Sequence, residues 1–551
     1  MLGVLALFLL TAREYWQEPL IPRIAQLPIA LIFIVLLQLS LSKVGYFNQA
    51  LLYILYLLFA ALLTLLGARL RVNFGVEKLA TVLAFALLLG AELSALIGVL
   101  QHYQWHTPLD GVIVMQVSAG IYGNLAQPNH FANYIALGLI SLGLLFQQQK
   151  LKSQYVILLG MPLLFVMTLS GSRSSWLYLL LMAFLAWWLS RRDVAMRPLL
   201  RYSMLLVAGF GLMHLIVQMS FLAGADSGTN TVQRLLAYNG GGDTSGSIRL
   251  YLWREAGLMF MQSPWLGVGF GQFAWHHFQL LPVLQANNIF GLYNNAHNLV
   301  FQLAAEAGIA GLLALFVSLG VWFYGIRNIV PSAAHWWGYS ALGVLAIHSL
   351  LEYPMWYTYF LAVAALLLGV YDETHYRLAK LKIWRISMVL ILLLGLLSLF
   401  QFRAGYQQLK DTLAIRPASG NAAEAYQRTR EGLLELQHGS SLLSPYVDAS
   451  ILAYADMNAD QLKQKLALGS NVMHFVPTTQ AVYKQAFFLA QDGQLEQAKQ
   501  LMEQAIWSYP DNSDVLQRLK ESAEKDPAHF SALLEFALQK EQEHARAIHQ
   551  Q

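Results

Sequence analysis

The sequence predicts an all-α polytopic membrane protein with about 12 transmembrane helices, a large outward loop and a C-terminal helical region. Three observations predict this. Of 551 residues, 57% are hydrophobic and 12% charged, about half the charged share of a soluble domain. The apolar residues come in blocks of roughly 17 to 25, the length that crosses a bilayer as a helix. Lysine and arginine gather in alternate loops between those blocks, as the positive-inside bias requires.

The blocks read as spans at 2–12, 25–42, 48–67, 79–101, 130–147, 154–170, 175–190, 202–222, 299–324, 335–350, 356–371 and 384–402. The first is short for a crossing. It also lacks the basic start and small-residue cleavage site of a signal peptide. One set of loops carries Arg69, Arg71 and Lys78; Lys150 and Lys152; Arg191, Arg192, Arg197 and Arg201; Arg327; and Arg377, Lys380, Lys382 and Arg385. That set is expected in the cytoplasm. The loops 102–129 and 351–355 carry no lysine or arginine, the 43–47 loop carries only Lys43, and these face outward.

This alternation puts the polar segment 223–298 and everything after 402 outside. Four parts follow: N-terminal transmembrane helices (1–222), a large outer loop (223–298), C-terminal transmembrane helices (299–402) and an outer helical domain (403–551). The same alternation places the first residue outside, with Arg13 and Arg23 inside, so a further helix is expected upstream of Met1. In the last part, AVYKQAFFLAQDGQLEQAKQLMEQAIWSYP (481–510) reads as one helix-turn-helix unit of tetratricopeptide type. Gly493 falls in its turn, and Ala498, Ala505 and Pro510 stand where such a unit places small residues and a proline. Residues 421–437 and 444–468 read as degenerate neighbours. Stacked units of this kind either bind a partner or serve as a packed lid.

Against a cation-poor outer face, the few outer arginines stand out. Arg173 lies in the tight turn GSRSSW, and Arg234, Arg249 and Arg254 lie in the large loop. A guanidinium presents a planar fork of donors to phosphate, which suits a lipid pyrophosphate; the alternative is an interfacial arginine snorkelling to headgroups. Arg249 and Arg254 lie five residues apart on a helix-like stretch, SIRLYLWREAG, and Arg254 has Glu255 or Glu306 as alternative ion-pair partners.

His297 stands in NNAHNLVFQLAAEAGIAGLL, where the large loop re-enters the membrane. A neutral imidazole there can take a proton from a hydroxyl, oriented by Asn295 and Asn298; a structural histidine is the competing reading. His276 and His277 read as a solvated or interfacial pair. In HSLLEYPMWYTYF, Glu352 heads the next span on the outer side and needs a partner at that depth, an outer arginine or His297. Pro354 suits a helix start, while Trp356, Tyr357 and Tyr359 suit an interfacial aromatic belt. The amides of GNLAQPNHFANYIALGL, including Gln127 and Asn129, can bind sugar hydroxyls or cap the helix that follows.

No metal site and no cofactor are expected. There are no cysteines, no His-Glu-x-x-His and no P-loop. No nucleic-acid partner is expected, and an activated lipid carrier is the natural energy source at such a face.

Taken together these blocks resemble the PglL-type protein O-oligosaccharyltransferases of Gram-negative bacteria, in the superfamily of O-antigen ligases and polymerases. GNLAQPNHFANY resembles the family's N-terminal signature, with Gln127, Asn129 and Tyr134 in the matching places. GSRSS resembles its Ser-Arg turn, SIRLYLWREAG with SPWLGVGFGQFAW its periplasmic-loop signature, and NAHNLVFQLAAEAGI its histidine motif. HSLLEYPMWYTYF resembles the protein-glycosylating branch, as does the helical C-terminus. The family has a further helix ahead of the first span seen here. The resemblance implies an inner-membrane enzyme with its site at the periplasmic face. It would move an oligosaccharide en bloc from undecaprenyl-pyrophosphate to a serine or threonine of a periplasmic acceptor such as a pilin. It implies His297 as the catalytic group, with Arg173, Arg249, Arg254, Gln127, Asn129, Tyr134, Glu352 and Tyr357 about the substrate. His297 would act as base or as phosphate ligand. The rivals are an O-antigen ligase or polymerase using a sugar hydroxyl, and a lipid or glycan transporter. A transporter is expected to carry polar groups near mid-membrane and internal repeats, which this sequence does not display.

Overall fold

The computed structural model describes residues 20–114, 120–125, 127–219, 245–284, 290–376, 381–415, 422–439, 442–510 and 513–549. The block 2–12, Arg13 and Arg234 lie outside the described residues. The chain folds almost wholly into helices: α1 (Gln26–Ser40), α2 (Phe47–Phe74), α3 (Val76–Tyr103), α4 (Pro128–Gln147), α5 (Ser153–Leu169), α6 (Ser174–Ser190), α7 (Arg197–Ile216), α8 (Ser245–Gln262), α9 (Phe273–Leu284), α10 (Leu299–Ile326), α11 (Ala333–Leu351), α12 (Thr358–Val370) and α13 (Leu381–Leu413). Seven more follow: α14 (Ala422–His438), α15 (Ser444–Ala453), α16 (Leu462–Phe475), α17 (Thr479–Gln491), α18 (Leu495–Ser508), α19 (Ser513–Lys525) and α20 (Pro527–His549). Two short strands, β1 (Ile21–Pro22) and β2 (His375–Tyr376), pair antiparallel.

Eleven of the expected spans fall on a helix, namely α1 to α7 and α10 to α13. Among the described residues, seven stretches are long and apolar enough to cross a membrane, those containing α1, α2, α3, α4, α7, α10 and α13. This is a multi-pass membrane protein. Helices α5, α6 and α12 are equally apolar but shorter, with 17, 17 and 13 residues. Helix α4 is the central one, with 83% of its apolar window buried; its neighbours are α3, α5, α6 and α11. Helices α2 and α12 approach closely enough that a Cβ on Gly67 would sit 2.2 Å from the Leu366 carbonyl, and one on Gly369 2.0 Å from that of Thr64. Such small-residue seams let helices pack where lipid offers no hydrophobic drive.

The loops gather at two ends, as the charge alternation predicts. At one end Arg71 pairs with Glu373, Ile24 N donates to Asp372 at 2.7 Å, and β1 meets β2. At the other lie the 43–47 turn, the Ser170–Arg173 turn, α8 and α9, the approach to α10 and the 351–357 turn. Lys43, the one lysine expected there, is held by Ser263 Oγ at 2.9 Å and the Gly267 carbonyl at 3.0 Å.

Helix α10 is broken at Gly308, whose φ of 62° and ψ of −154° no side chain tolerates well. The SPWLGVGFG segment fills the break. Ile309 N donates to the Pro264 carbonyl at 2.7 Å and Val268 N to that of Ala305 at 2.9 Å. Gln38 Nε2 spans the Leu266 and Glu306 carbonyls at 2.6 and 2.7 Å. Backbone groups freed by the break are thus satisfied inside the protein, the condition for irregular chain at membrane depth.

Helices α17 and α18 pair across a turn at Gly493, which takes φ 78°. Ala498 and Ala505 are fully buried between them. Their core extends to Phe278 of α9. Hydrogen bonds tie α15 and α18 to the outer end of the membrane part: Tyr46 Oη to Asp448 at 3.2 Å, Asn48 Nδ2 at the start of α2 to Ser444 at 2.7 Å, and Gly291 N to the Ser508 carbonyl at 2.8 Å.

Candidate active site

The site assembles on one carboxylate. Glu352 follows the last residue of α11; it caps the C-terminus of that helix rather than heading α12, because Pro354 starts a separate 3-10 turn over Pro354–Trp356. The residue is 2% exposed. Its Oε1 accepts from Arg249 Nη2 at 2.5 Å and from Asn129 Nδ2 at 2.7 Å. Its Oε2 lies 2.8 Å from His297 Nδ1 and accepts from Gln127 Nε2 at 3.2 Å. Residues from three other stretches of sequence therefore converge on this one side chain.

Burial alone would raise the pKa of this carboxyl, but the His297 hydrogen bond and the Arg249 guanidinium outweigh it and hold it at about 2. The group is ionised, so it only accepts, and Nδ1 of His297 must be the donor. The neutral imidazole then carries its lone pair on Nε2. That tautomer is the one a general base needs, fixed by an anion behind it.

Local structure aims His297. Asn298 caps α10, its Oδ1 accepting from Val300 N at 2.9 Å and Phe301 N at 3.2 Å. The same side chain donates to the Leu350 carbonyl at 2.9 Å, which pins the start of α10 beside the end of α11. Asn295 Oδ1 accepts from His297 N at 3.3 Å, and His297 itself takes a left-handed φ of 50°. Its ring meets that of Tyr353 edge-on at 4.9 Å. Asn295 thus holds the backbone of His297, while Asn298 fixes the helix start that follows it.

The other expected residues divide. The amides of Gln127 and Asn129 reach the carboxylate instead of capping α4; Gln127 occupies the N-cap position but makes no side-chain cap bond. Asn129 Oδ1 also accepts from Ser172 Oγ at 2.7 Å, which brings the turn carrying Arg173 against the cluster. Arg173 is half-buried and has a bonding partner of its own. Tyr357 meets the ring of His130 at 4.7 Å and stacks on Tyr353. Tyr134 stands apart, two helical turns deeper in α4, its hydroxyl against Gly90. Arg254 is exposed on α8 and does not take the carboxylates expected for it. Glu255 is bound by His277 at 2.7 Å and Glu306 by Phe273 N at 3.1 Å. His277 is accordingly no solvated loop residue: it is fully buried on α9, correcting that expectation, because α9 packs against α8.

Sequence reasoning missed a second layer. His130 Nδ1 and His348 Nε2 lie 2.8 Å apart, and His348 Nδ1 is 3.0 Å from Tyr178 Oη. All three residues are fully buried. The signal was spacing: His130 is three residues after Gln127 and His348 four before Glu352, each one helical turn from a residue of the cluster. Gln127 Oε1 and His130 Nε2 are buried without a hydrogen-bond partner among the described residues. Among the described residues no group of three His, Asp or Glu side chains is placed to hold a metal ion.

Comparison with known proteins bears out the resemblance read from the motifs. Residues 121–146 match the family "Protein glycosylation ligase", residues 155–316 "O-Antigen ligase", and residues 336–523 "Virulence factor membrane-bound polymerase, C-terminal". The chain is 30% identical over 377 residues to a general O-oligosaccharyltransferase of Acinetobacter baylyi, covering 67% of this chain and 63% of that protein. It is 23% identical over 364 residues to a ComP-specific O-oligosaccharyltransferase of the same organism, covering 66% of this chain and 64% of the relative. The match therefore spans just under two thirds of each relative's length. His297 and Arg249 fall inside the O-antigen ligase match, Gln127 and Asn129 inside the protein glycosylation ligase match, and Glu352 inside the polymerase match.

Proposed function

We propose that this chain, with its O-antigen ligase and protein glycosylation ligase segments, is an O-oligosaccharyltransferase. It would move a glycan from undecaprenyl-pyrophosphate to a serine or threonine hydroxyl of a periplasmic protein, a pilin among the candidates. The observation that carries the reading is the ionised Glu352 held between His297 and Arg249, with Gln127 and Asn129 on the same carboxylate.

In the proposed reaction, His297 Nε2 takes the proton of the acceptor hydroxyl as its oxygen attacks the anomeric carbon. The bond from that carbon to the pyrophosphate oxygen breaks, and the anomeric centre inverts. Arg249 spends one donor on Glu352 and keeps others for the leaving pyrophosphate, and Arg173, brought near by Ser172 and Asn129, adds charge on the same side. Glu352 orients and stabilises the imidazolium as it forms. Gln127 and Tyr357 line the donor sugar, with Arg254 and Tyr134 further out along the loop and the lipid tail.

The proposed setting is a bacterial inner membrane, with the shorter helices α5, α6, α11 and α12 spanning beside the seven long ones. The Glu352 end faces the periplasm, which the lysine and arginine pattern supports. The four-part division at 222, 298 and 402 and a tetratricopeptide-like acceptor platform after 403 belong to the same proposal; the α17–α18 hairpin supports the last. A second reading, transfer to a sugar hydroxyl, rests on the O-antigen ligase match.

Co-expression with a lipid-linked glycan and candidate acceptors, in a host lacking its own ligase, tests the proposal. Glycan mass on the acceptor with wild type and none with His297→Ala, at equal membrane levels, supports it. Glycan on lipid A core and on no protein would move the chain to the ligase reading.

A further inference from the structure

At the end of the molecule opposite Glu352 lies a cleft of about 500 Å³, lined by Arg23, Val317, Gly320, Val321, Tyr324 and His375 among others. Its floor is one apolar face of α10, a membrane-crossing helix. Val317, Gly320 and Val321 recur there at helical spacing. Gly320 forms a notch, since a Cβ there would meet nothing within 4 Å.

The rim is cationic. Arg23 is exposed, with its guanidinium 5.6 Å from the centre of the Tyr376 ring. Arg327 is exposed and lies 3.4 Å from the centre of the Tyr324 ring, on the cleft wall. The nearby acids are already engaged. Glu373 pairs with Arg71. Asp372 is buried and accepts from Ile24 N and the Thr374 hydroxyl, each at 2.7 Å. Among the described residues neither Arg23 nor Arg327 has a carboxylate in ion-pair range.

Two uncompensated guanidiniums over an apolar groove in a membrane helix match one chemistry, an amphiphile with a phosphate of net negative charge. We propose that this cleft holds one anionic phospholipid, its phosphodiester between Arg23 and Arg327 and an acyl chain laid over Val317, Gly320 and Val321. Guanidinium forks favour phosphate, and basic pockets between membrane helices select anionic headgroups. A zwitterionic lipid would bring an ammonium group up to two guanidiniums and is disfavoured. The site is independent of glycan transfer and is tested without it.

The test is native mass spectrometry of the full-length chain titrated with phosphatidylglycerol or phosphatidylethanolamine. Wild type is expected to retain one phosphatidylglycerol in preference to phosphatidylethanolamine. Arg23→Gln with Arg327→Gln is expected to weaken that retention about 30-fold, the effect of two basic residues near a headgroup. Gly320→Leu fills the groove without a neighbour to strike, so it should lose the lipid at unchanged thermal midpoint; it decides the matter if the arginine variant misfolds. Equal retention of both lipids, or retention unaltered by Gly320→Leu and by the arginine pair, overturns the proposal. So does displacement of the lipid by excess inorganic phosphate, which would make this a phosphate site only.

Discussion

His297 Nδ1 lies 2.8 Å from Glu352 Oε2, across 55 residues of sequence and between the ends of two helices. The carboxylate sets the imidazole's tautomer, and the remaining nitrogen is left for chemistry. His297→Ala is expected to lower glycan transfer by about 10²–10⁴-fold, the range of a general base, with the thermal midpoint close to wild type. Initial rates on a synthetic lipid-linked donor would measure it; activity within twofold of wild type would remove the base from the mechanism.

Glu352→Gln carries a larger structural cost. It leaves the Arg249 charge, only partly exposed, facing a neutral amide. Breaking a buried ion pair from one side costs about 3–5 kcal/mol. The expected result is a fall of several degrees in the thermal midpoint together with loss of transfer. Arg249→Gln alone should be gentler on stability, because His297 and Asn129 still serve the carboxylate, yet it should still depress turnover.

The pH dependence has a defined sign. Glu352 titrates near 2 in the folded chain, against about 4.3 for a free glutamate. A depressed carboxyl contributes stability that is complete above its unfolded pKa and is lost as pH falls through the folded one. Thermal midpoints of wild type and Glu352→Gln should therefore run parallel from pH 7 down to about 5 and converge between about 4.5 and 2. On the activity side, a His297 base predicts transfer rising with pH, and an imidazolium ligand for phosphate predicts the reverse.

Asn129 bridges the carboxylate and Ser172, so Asn129→Ala removes a hydrogen bond to a buried charge and loosens the Arg173 turn together. A loss of about 1.5–3 kcal/mol is expected for the first effect. If the turn matters, donor KM should rise in both Asn129→Ala and Ser172→Ala, since each breaks the bond between them. An unchanged donor KM in Ser172→Ala would separate Arg173 from the donor.

Gly308→Ala probes the break in α10. A Cβ there would sit 2.5 Å from the Pro264 carbonyl, and the backbone is left-handed. The variant is expected to lose well over 1 kcal/mol and to show reduced monomer yield in detergent. Gly395→Ala, in open space on α13, is the control and should be no less stable than wild type.

Much of this was legible in the sequence because bilayer thickness and charge bias act on long stretches. The 299–324 block and α10 coincide within two residues, since both are set by one apolar run. The cluster was legible in its members: Glu352 was expected to need His297 or an arginine, and it has both. What stayed hidden was the pairing of short polar side chains across helices. The amides of Gln127 and Asn129 are equally able to cap a helix, and only the position of α11 decides that they reach Glu352. His277 looked solvated because nothing local reveals that α8 brings Glu255 to it. His130 and His348 sat in quoted motifs, but a buried histidine declares its partner only when both helices are in place.

The bond from Gly291 N to the Ser508 carbonyl concerns biosynthesis. Gly291 stands six residues before His297, and its latch is made about two hundred residues later by the ribosome, after α10 to α13 have been inserted. At the usual pace of synthesis that is a delay of about ten seconds or more. During it, the strand leading to the histidine has no C-terminal helix to rest on. The approach to His297 thus gains this support only once α18 has been made.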